Sequence, residues 1–82
     1  MANNGMENVL HVLGELKEDN TVPRNVRAKI DEAIKILNDG TDIQIKVSRV
    51  LSELEEISDD VNLQSYTRTQ IWDAISGLEK VK

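Results

Sequence analysis

The 82-residue sequence contains no cysteine and no phenylalanine, and it has one tryptophan, one tyrosine and one histidine. The absence of cysteine excludes disulfides, cysteine-based zinc sites and a thiol nucleophile, and it fits a reducing cytoplasm. A core must therefore be built from aliphatic side chains, of which eight Val, eight Leu and eight Ile are available. This supply suits one compact domain, and we expect residues 1–82 to form a single domain.

The chain also lacks an excess of positive charge and any long apolar run. Its formal net charge of −5 argues against a general nucleic-acid binder, because affinity for duplexes depends largely on cations that neutralise phosphates. No apolar run approaches the ~18 residues of a membrane span. The N-terminal sequence MANNGMENV has no basic region followed by an apolar one. We therefore expect a soluble, cytoplasmic protein with no membrane partner.

The two halves of the chain resemble each other. When residue 8 is placed over residue 49, a shift of 41 positions, ten of the next thirty pairs are identical and no gap is needed. The identical pairs are Val9/Val50, Leu10/Leu51, Leu13/Leu54, Glu15/Glu56, Asp19/Asp60, Arg27/Arg68, Ile30/Ile71, Ala33/Ala74, Ile34/Ile75 and Leu37/Leu78. Any two amphipathic helices in phase would share aliphatic positions. The ionic matches and the absence of a gap favour a duplicated helical hairpin.

Apolar residues recur at spacings of three and four, which predicts helices, and no segment alternates with the period of a strand. The predicted helices run from about Asn4 to Glu18, from near Pro23 to Asn38, from Thr41 or Asp42 to before Asp59, and from about Ser65 to Lys80. Short loops between helices of this length favour an antiparallel bundle. The predicted fold is all-α, an antiparallel four-helix bundle of two repeated hairpins, at about residues 4–39 and 42–81.

Three elements of the sequence resemble a family of small archaeal proteins that is known only as uncharacterised. They are Val-Pro-Arg-Asn at residues 22–25, Leu-Glu-Glu-Ile-Ser at 54–58 and Arg-Thr-Gln-Ile-Trp at 68–72. The resemblance extends from about Glu7 to Val81. It implies an all-helical protein of an archaeal cytoplasm. It implies no activity and no functional residues, because none is established for the family.

Side chains suited to catalysis or metal binding are few. The only histidine, His11, has Glu7 and Glu15 one turn away on either side. These three could ligate a metal, but ion pairing on a solvated helix face accounts for them equally well and is favoured. The sequence has neither the Glu-x-x-His motifs of a dinuclear bundle site nor a glycine loop that binds phosphate. We expect no enzyme, no metal and no cofactor.

Two arginines occupy equivalent positions in the two halves, Arg27 and Arg68. Each follows a loop with acidic residues, and we expect structural ion pairs of Arg27 with Glu15 and of Arg68 with Glu56. The alternative is an anion-binding arginine pair with Arg24 added. The acidic neighbours favour the structural interpretation, since they would repel a phosphate.

Three apolar residues align with a polar residue or a glycine in the other half. A core shared by both halves therefore does not explain why these three residues are apolar. Trp72 aligns with Asp31, Ile36 with Gly77, and Val12 with Glu53. One interpretation, slightly favoured for Trp72, is that a large ring fills space in the core. The other is that Trp72, Ile36 and Val12 form a contact surface, because Trp is enriched among interface hot spots.

The leading functional interpretation is a small protein-interaction module, with self-association left open. It is what remains when no signal for an enzyme or a metal protein is found. The alternative is an accessory factor of an RNA–protein assembly, in which Arg24, Lys29 and Lys35 would supply a local basic strip. The sequence alone identifies neither a partner nor a process.

Overall fold

A computed structural model describes residues 4–81, and the regular secondary structure of this range is entirely helical. The helices are α1 (Asn4–Lys17), α2 (Arg24–Leu37), α3 (Ile43–Ser58) and α4 (Ser65–Val81). The prediction of an all-α fold with four helices is confirmed. The observed boundaries lie within two residues of the predicted ones. None of the described helices has the length and apolar character needed to cross a bilayer.

Local chemistry explains where two of the helices begin. Pro23 precedes α2 with φ −54° and ψ 144°, and its carbonyl accepts the first helical hydrogen bond from the Arg27 N–H at 2.9 Å. Proline suits this place because an N–H group at the start of a helix would have no acceptor within the helix, so nothing is lost by its absence. At α3, the Asp42 carboxylate accepts a hydrogen bond from the Gln44 N–H at 2.9 Å. This is the usual way in which an aspartate caps a helix.

Each helix contacts the helices adjacent in sequence, and α4 contacts α1, so that the four helices enclose one core. The buried apolar residues are Val9, Leu13, Leu16, Val22, Val26, Ile30, Ala33, Leu37, Val47, Val50, Leu51, Leu54, Ile57, Leu63, Ile71, Ala74, Ile75 and Leu78. All are aliphatic. Burying one Val, Leu or Ile side chain contributes roughly 1.5–3 kcal/mol, so this cluster dominates the stability.

The α1–α2 and α3–α4 loops share two hydrogen bonds at equivalent aspartates. In the first, the Asp19 carboxylate accepts from the backbone N–H two residues later at 2.9 Å, and the Asp19 carbonyl accepts from the Val22 N–H at 3.1 Å. In the second, the Asp60 carboxylate accepts from the N–H two residues later at 2.8 Å, and its carbonyl accepts from the Leu63 N–H at 3.2 Å. Aspartate side chains commonly stabilise turns in this way. Both turns direct an apolar residue, Val22 or Leu63, into the core.

Two glycines inside helices have different surroundings. A Cβ atom added at Gly77 would lie 2.7 Å from Val9 Cγ2, so this glycine allows α4 to approach α1 closely. A Cβ atom added at Gly14 would meet nothing within 4 Å. Close helix packing therefore explains Gly77 and does not explain Gly14.

We predict opposite effects of alanine at these two positions. Gly77→Ala should destabilise the fold by about 1–3 kcal/mol, because the new methyl group overlaps the stiff side chain of Val9. Gly14→Ala should stabilise it by about 0.5–1 kcal/mol, because alanine favours the helix and has room here. Urea unfolding of both variants checks this. A change of the same sign and size in both would contradict the close approach of α1 and α4.

Candidate functional site

The Arg68 side chain binds the loop that precedes its own helix. Its Nε atom donates to the Ser58 carbonyl at 3.0 Å, and its Nη2 atom donates to the Asp60 carbonyl at 2.8 Å. Ser58 is the last residue of α3, where carbonyl groups lack partners within the helix and carry partial negative charge. Arg68 therefore satisfies the end of α3 and holds the α3–α4 loop against α4.

Arg27 has a smaller role in the α1–α2 loop. Its Nε atom donates to the Val22 carbonyl at 3.1 Å. The pKa of the nearby Asp19 carboxylate is held below its ordinary value, first by the hydrogen bonds from Thr21 and more weakly by the charge of Arg27. The two arginines therefore stabilise equivalent loops through different carbonyl groups.

The structure corrects the predicted partners of both arginines. Glu56 accepts a hydrogen bond from Lys29 Nζ at 2.8 Å instead of pairing with Arg68. Glu15 lies beside His11, with 3.6 Å between Oε2 and Nε2, instead of pairing with Arg27. The Glu15 and Glu56 side chains are 60% and 71% exposed and keep most of their water. The guanidinium groups bind carbonyl groups instead, among them the Ser58 carbonyl at the end of α3, which has no partner within its helix.

We predict a graded loss of stability on replacing the arginines. Arg68→Ala breaks two hydrogen bonds and removes the donor of the Ser58 carbonyl at the end of α3, so it should cost about 1–3 kcal/mol, whereas Arg27→Ala, which breaks one hydrogen bond, should cost less. Arg24→Ala, at an exposed position, should change stability by less than about 0.5 kcal/mol. Urea unfolding measures all three. An Arg68→Ala variant as stable as Arg24→Ala would disprove a structural role for Arg68.

Lysines and carboxylates connect α2 to both of its neighbours. Lys17 Nζ of α1 lies 3.0 Å from Asp31 Oδ1, and Lys35 Nζ lies 3.3 Å from Asp31 Oδ2. These hydrogen bonds, from Lys17 first and Lys35 second, lower the pKa of Asp31. The bond from Lys29 likewise lowers the pKa of Glu56. Two cations of the predicted basic strip, Lys29 and Lys35, are therefore paired with carboxylates of the chain itself.

These pairs predict a loss of stability in acid. A carboxylate whose pKa is lower in the folded state stabilises the protein above its unfolded pKa of about 4, and the stabilisation is lost as the pH falls below this value through the lowered pKa of the folded state. We expect the urea midpoint to fall between pH 7 and pH 3. The fall should be smaller in Asp31→Asn and in the double variant Lys17→Met/Lys35→Met. An unchanged pH dependence in both variants would show that the pairing of Asp31 with its lysines does not contribute to the stability of the fold.

The two aromatic side chains lie on the outer surface of one helix. Trp72 is 50% exposed and Tyr66 is 68% exposed, and they line a shallow depression on α4 together with Thr69, Gln70, Asp73 and Ser76. We call these six residues the α4 outer face. Gln70 Nε2 donates to the Tyr66 hydroxyl at 2.7 Å. The core-filling interpretation of Trp72 is wrong, because half of this side chain is exposed and it does not belong to the apolar core cluster.

The other two residues of the predicted contact surface lie in different places. Val12 is partly buried and lines a groove between α1 and α4 that also includes Asp73 and Ser76 of the α4 outer face. Ile36 comes two turns after Lys29, which binds Glu56 of α3, so Ile36 lies on the α3 side of α2. The structure therefore brings Val12 near the surface of Trp72 and separates Ile36 from it.

Sequence reasoning missed Tyr66, although the comparison of the two halves contains a signal for it. Tyr66 aligns with Asn25, so this is a second aromatic residue of one half that aligns with a polar residue of the other. Among residues 5–81, the other exposed large apolar residues are Ile43, Ile45 and Val61, on α3 and in the α3–α4 loop. Ile45 is 55% exposed, which makes it a matched control for Trp72.

His11 has only one acidic neighbour within reach. It is exposed and lies 3.6 Å from Glu15. Between residues 4 and 81, no three His, Asp or Glu side chains are arranged to hold a metal ion. The geometry at His11 is that of an ion pair between side chains one helical turn apart.

The chain is similar to proteins of one family along its length. A family model described as Uncharacterised protein family (UPF0147) matches residues 1–81. A UPF0147 protein of Methanothermobacter thermautotrophicus is 39% identical over 83 aligned positions, which cover 100% of this chain and 81% of the relative. A UPF0147 protein of Archaeoglobus fulgidus is 40% identical over 81 residues, which cover 99% of this chain and 93% of the relative.

A solved structure has a similar fold. The crystal structure of an unknown function protein, MMP1188, superposes with a TM-score of 0.89 at 38% sequence identity. The match covers 96% of this chain and 91% of that chain. The resemblance to small archaeal uncharacterised proteins, first noticed in three short elements, is confirmed.

Proposed function

The chain belongs to the uncharacterised protein family UPF0147, and we propose that it is a protein-interaction module that binds its partner through the α4 outer face. One observation carries this proposal. Both aromatic residues of the chain, Tyr66 and Trp72, are exposed on one side of one helix, while the core is entirely aliphatic.

The exposure of these rings has an energetic consequence. Aromatic side chains bury about 150–250 Å² when covered and contribute strongly to interfaces. On α4 they contribute little to folding, because Ile71, Ile75 and Leu78 occupy the inner side of the same helix. Covering the exposed half of Trp72 alone would remove on the order of 100 Å² of mostly apolar surface from water, worth ~2.5 kcal/mol. Tryptophan and tyrosine are enriched among the residues that dominate binding energies.

The charges around the rings also suit a protein partner. The α4 outer face contains one carboxylate, Asp73, although the whole chain carries a formal charge of −5. The second interpretation, an accessory factor of an RNA–protein assembly, would depend on Arg24, Lys29 and Lys35. Lys29 and Lys35 are paired with Glu56 and Asp31, so no observation favours that interpretation over the first.

The same proposal includes a non-catalytic role in the cytoplasm. The residues that could perform acid–base chemistry do not converge: His11 has only Glu15 beside it, and the acidic residues of the loops accept hydrogen bonds from their own backbone. The absence of cysteine is compatible with a reducing compartment. An interaction module needs neither a cofactor nor a metal.

We also propose that the fold is an antiparallel bundle made of two copies of one hairpin. The close approach of Gly77, near the end of α4, to Val9, near the start of α1, favours opposite directions for these helices. The equivalent hydrogen bonds at Asp19 and Asp60 support the duplication. Similar burial of Val9 and Val50 supports it further.

The proposal predicts which substitutions abolish binding. Trp72→Ala and Tyr66→Ala should each reduce capture of a protein partner from archaeal cell extract at least about tenfold, because each removes a dominant apolar contact. Ile45→Ala, at an equally exposed apolar position on α3, should leave capture unchanged. Capture on the tagged full-length chain with quantitative mass spectrometry measures this, and helical circular dichroism verifies that each variant is folded.

Two results would contradict this proposal. Equal capture by wild type and Trp72→Ala would mean that the α4 outer face does not bind. Capture that disappears on ribonuclease treatment and on replacement of Arg24, but not of Trp72, would favour the RNA–protein assembly instead.

A further inference from the structure

We infer that Asp39 and Gly40 form a site of covalent self-modification, at which the chain cyclises to a succinimide and reopens partly as isoaspartate. The site lies in the α2–α3 loop, outside the α4 outer face proposed above for partner binding. Three features of this loop support it: the turn made by the Asp39 carboxylate, the contact of Lys46 with the Asp39 carbonyl, and the glycine that follows.

The Asp39 carboxylate folds back over the peptide bond that follows it. Its Oδ1 atom accepts a hydrogen bond from the Thr41 N–H at 3.1 Å. An aspartate that accepts from the residue two positions later mimics a backbone turn with its side chain. The ring of atoms closed by this hydrogen bond includes both the Asp39 Cγ atom and the Gly40 nitrogen. The carboxyl carbon is therefore held beside the nitrogen with which it reacts.

A cation contacts the same peptide group. Lys46 Nζ of α3 donates to the Asp39 carbonyl oxygen at 2.8 Å, and this is the oxygen of the peptide bond whose nitrogen belongs to Gly40. When that nitrogen gives up its proton, negative charge develops on the oxygen, and a hydrogen bond from an ammonium group stabilises this charge. Lys46 therefore makes the Gly40 nitrogen a better nucleophile.

Gly40 and its loop permit the ring to close. Glycine has no Cβ atom to hinder attack by its nitrogen, and its backbone adopts conformations that other residues disfavour. Asp39-Gly40 is the only aspartate–glycine step in the sequence. Residues 38–42 are all exposed, whereas the α1–α2 and α3–α4 loops each insert one residue, Val22 or Leu63, into the core. The α2–α3 loop can therefore distort without disturbing the core.

The chain contains two natural controls. Asp19 and Asp60 make the same turn, since each accepts from the N–H two residues later, and the Asp60 carbonyl also accepts from a cation, Arg68. The residues that follow them are Asn20 and Val61. Their side chains hinder the attacking nitrogen, most strongly in the case of the β-branched valine. We expect the turn to react only where glycine follows.

The reaction needs no reagent other than water. The Gly40 nitrogen loses its proton and forms a bond with Asp39 Cγ, and the carboxyl hydroxyl group leaves with that proton as water. A water molecule then opens the ring. Cleavage of the bond between the nitrogen and Cγ restores aspartate, whereas cleavage of the bond to the main-chain carbonyl carbon gives isoaspartate. Either opening leaves the oxygen atom of that water in residue 39.

Incubation of the full-length chain in water enriched in oxygen-18 measures the reaction. We expect the label to appear at Asp39 at least tenfold faster than at Asp19 and Asp60, as located by fragmentation of proteolytic peptides prepared in ordinary water. A second peptide of the same mass, with isoaspartate at residue 39, should elute separately. Fragmentation also distinguishes Asp39 from Asn4, whose amide precedes Gly5 and can cyclise with loss of ammonia.

Two substitutions test the role of the loop. Gly40→Ala should slow the labelling of Asp39 at least tenfold and leave the fold intact, because a Cβ atom at Gly40 meets nothing within 4 Å and the φ angle there is not positive. Lys46→Met should slow the labelling at least threefold in the folded chain and leave it unchanged in urea, where the contact with the Asp39 carbonyl is lost. Helical circular dichroism shows whether each variant is folded.

Three results would contradict this assignment. Equal labelling of Asp39, Asp19 and Asp60 would exclude a specific site, and equal rates in Gly40→Ala and in the wild-type chain would exclude the role of the glycine. A folded Lys46→Met variant that reacts as fast as wild type would disprove activation by Lys46. Each of these outcomes is independent of partner binding, because the loop lies outside the α4 outer face.

Discussion

The packing of aliphatic side chains between four helices is the constraint on which the other features depend. The apolar core cluster contains Val, Leu, Ile and Ala only, so the helices must approach closely to bury these side chains. Gly77 meets that requirement at the α1–α4 contact, where Val9 leaves no room for a Cβ atom. Trp72 and Tyr66 lie outside this packing, on a helix whose inner side is occupied by Ile71, Ile75 and Leu78.

Polar groups complete the fold at the ends of the helices and on its surface. The loops that follow α1 and α3 are stabilised by hydrogen bonds to Asp19 and Asp60. In each case an arginine from the next helix also donates to backbone carbonyl groups before that helix. Pairs such as Lys29–Glu56 connect helices through exposed side chains, where ion pairs contribute little individually. The arginine bonds are partly buried, and the bond to Ser58 satisfies a carbonyl group at the end of α3 that has no partner within the helix. Stability therefore depends more on the arginines than on the lysines.

The sequence predicted the helices well because their apolar period is regular and the loops contain Pro, Gly, Asn and Asp. It failed where the outcome depended on competition between partners. The Arg68 side chain could reach both carboxylates and carbonyl groups of the preceding loop. The apolar period of the helices does not show which of these groups it binds. For Trp72 the alignment of the two halves left a core position and a surface position open, and the structure places the side chain on the surface. Ile36 was grouped with Trp72 by alignment, although the order of the helices around the core separates them.

The position of the single tryptophan has a spectroscopic consequence. Trp72 lies half in water on the outside of α4 and contributes nothing to the core, so its emission in the native state already resembles that of a solvated indole. Unfolding should change this emission little, whereas any molecule that covers α4 should shift it to shorter wavelength. Intrinsic fluorescence of this chain is thus a poor measure of folding and a direct measure of whether its outer surface is occupied.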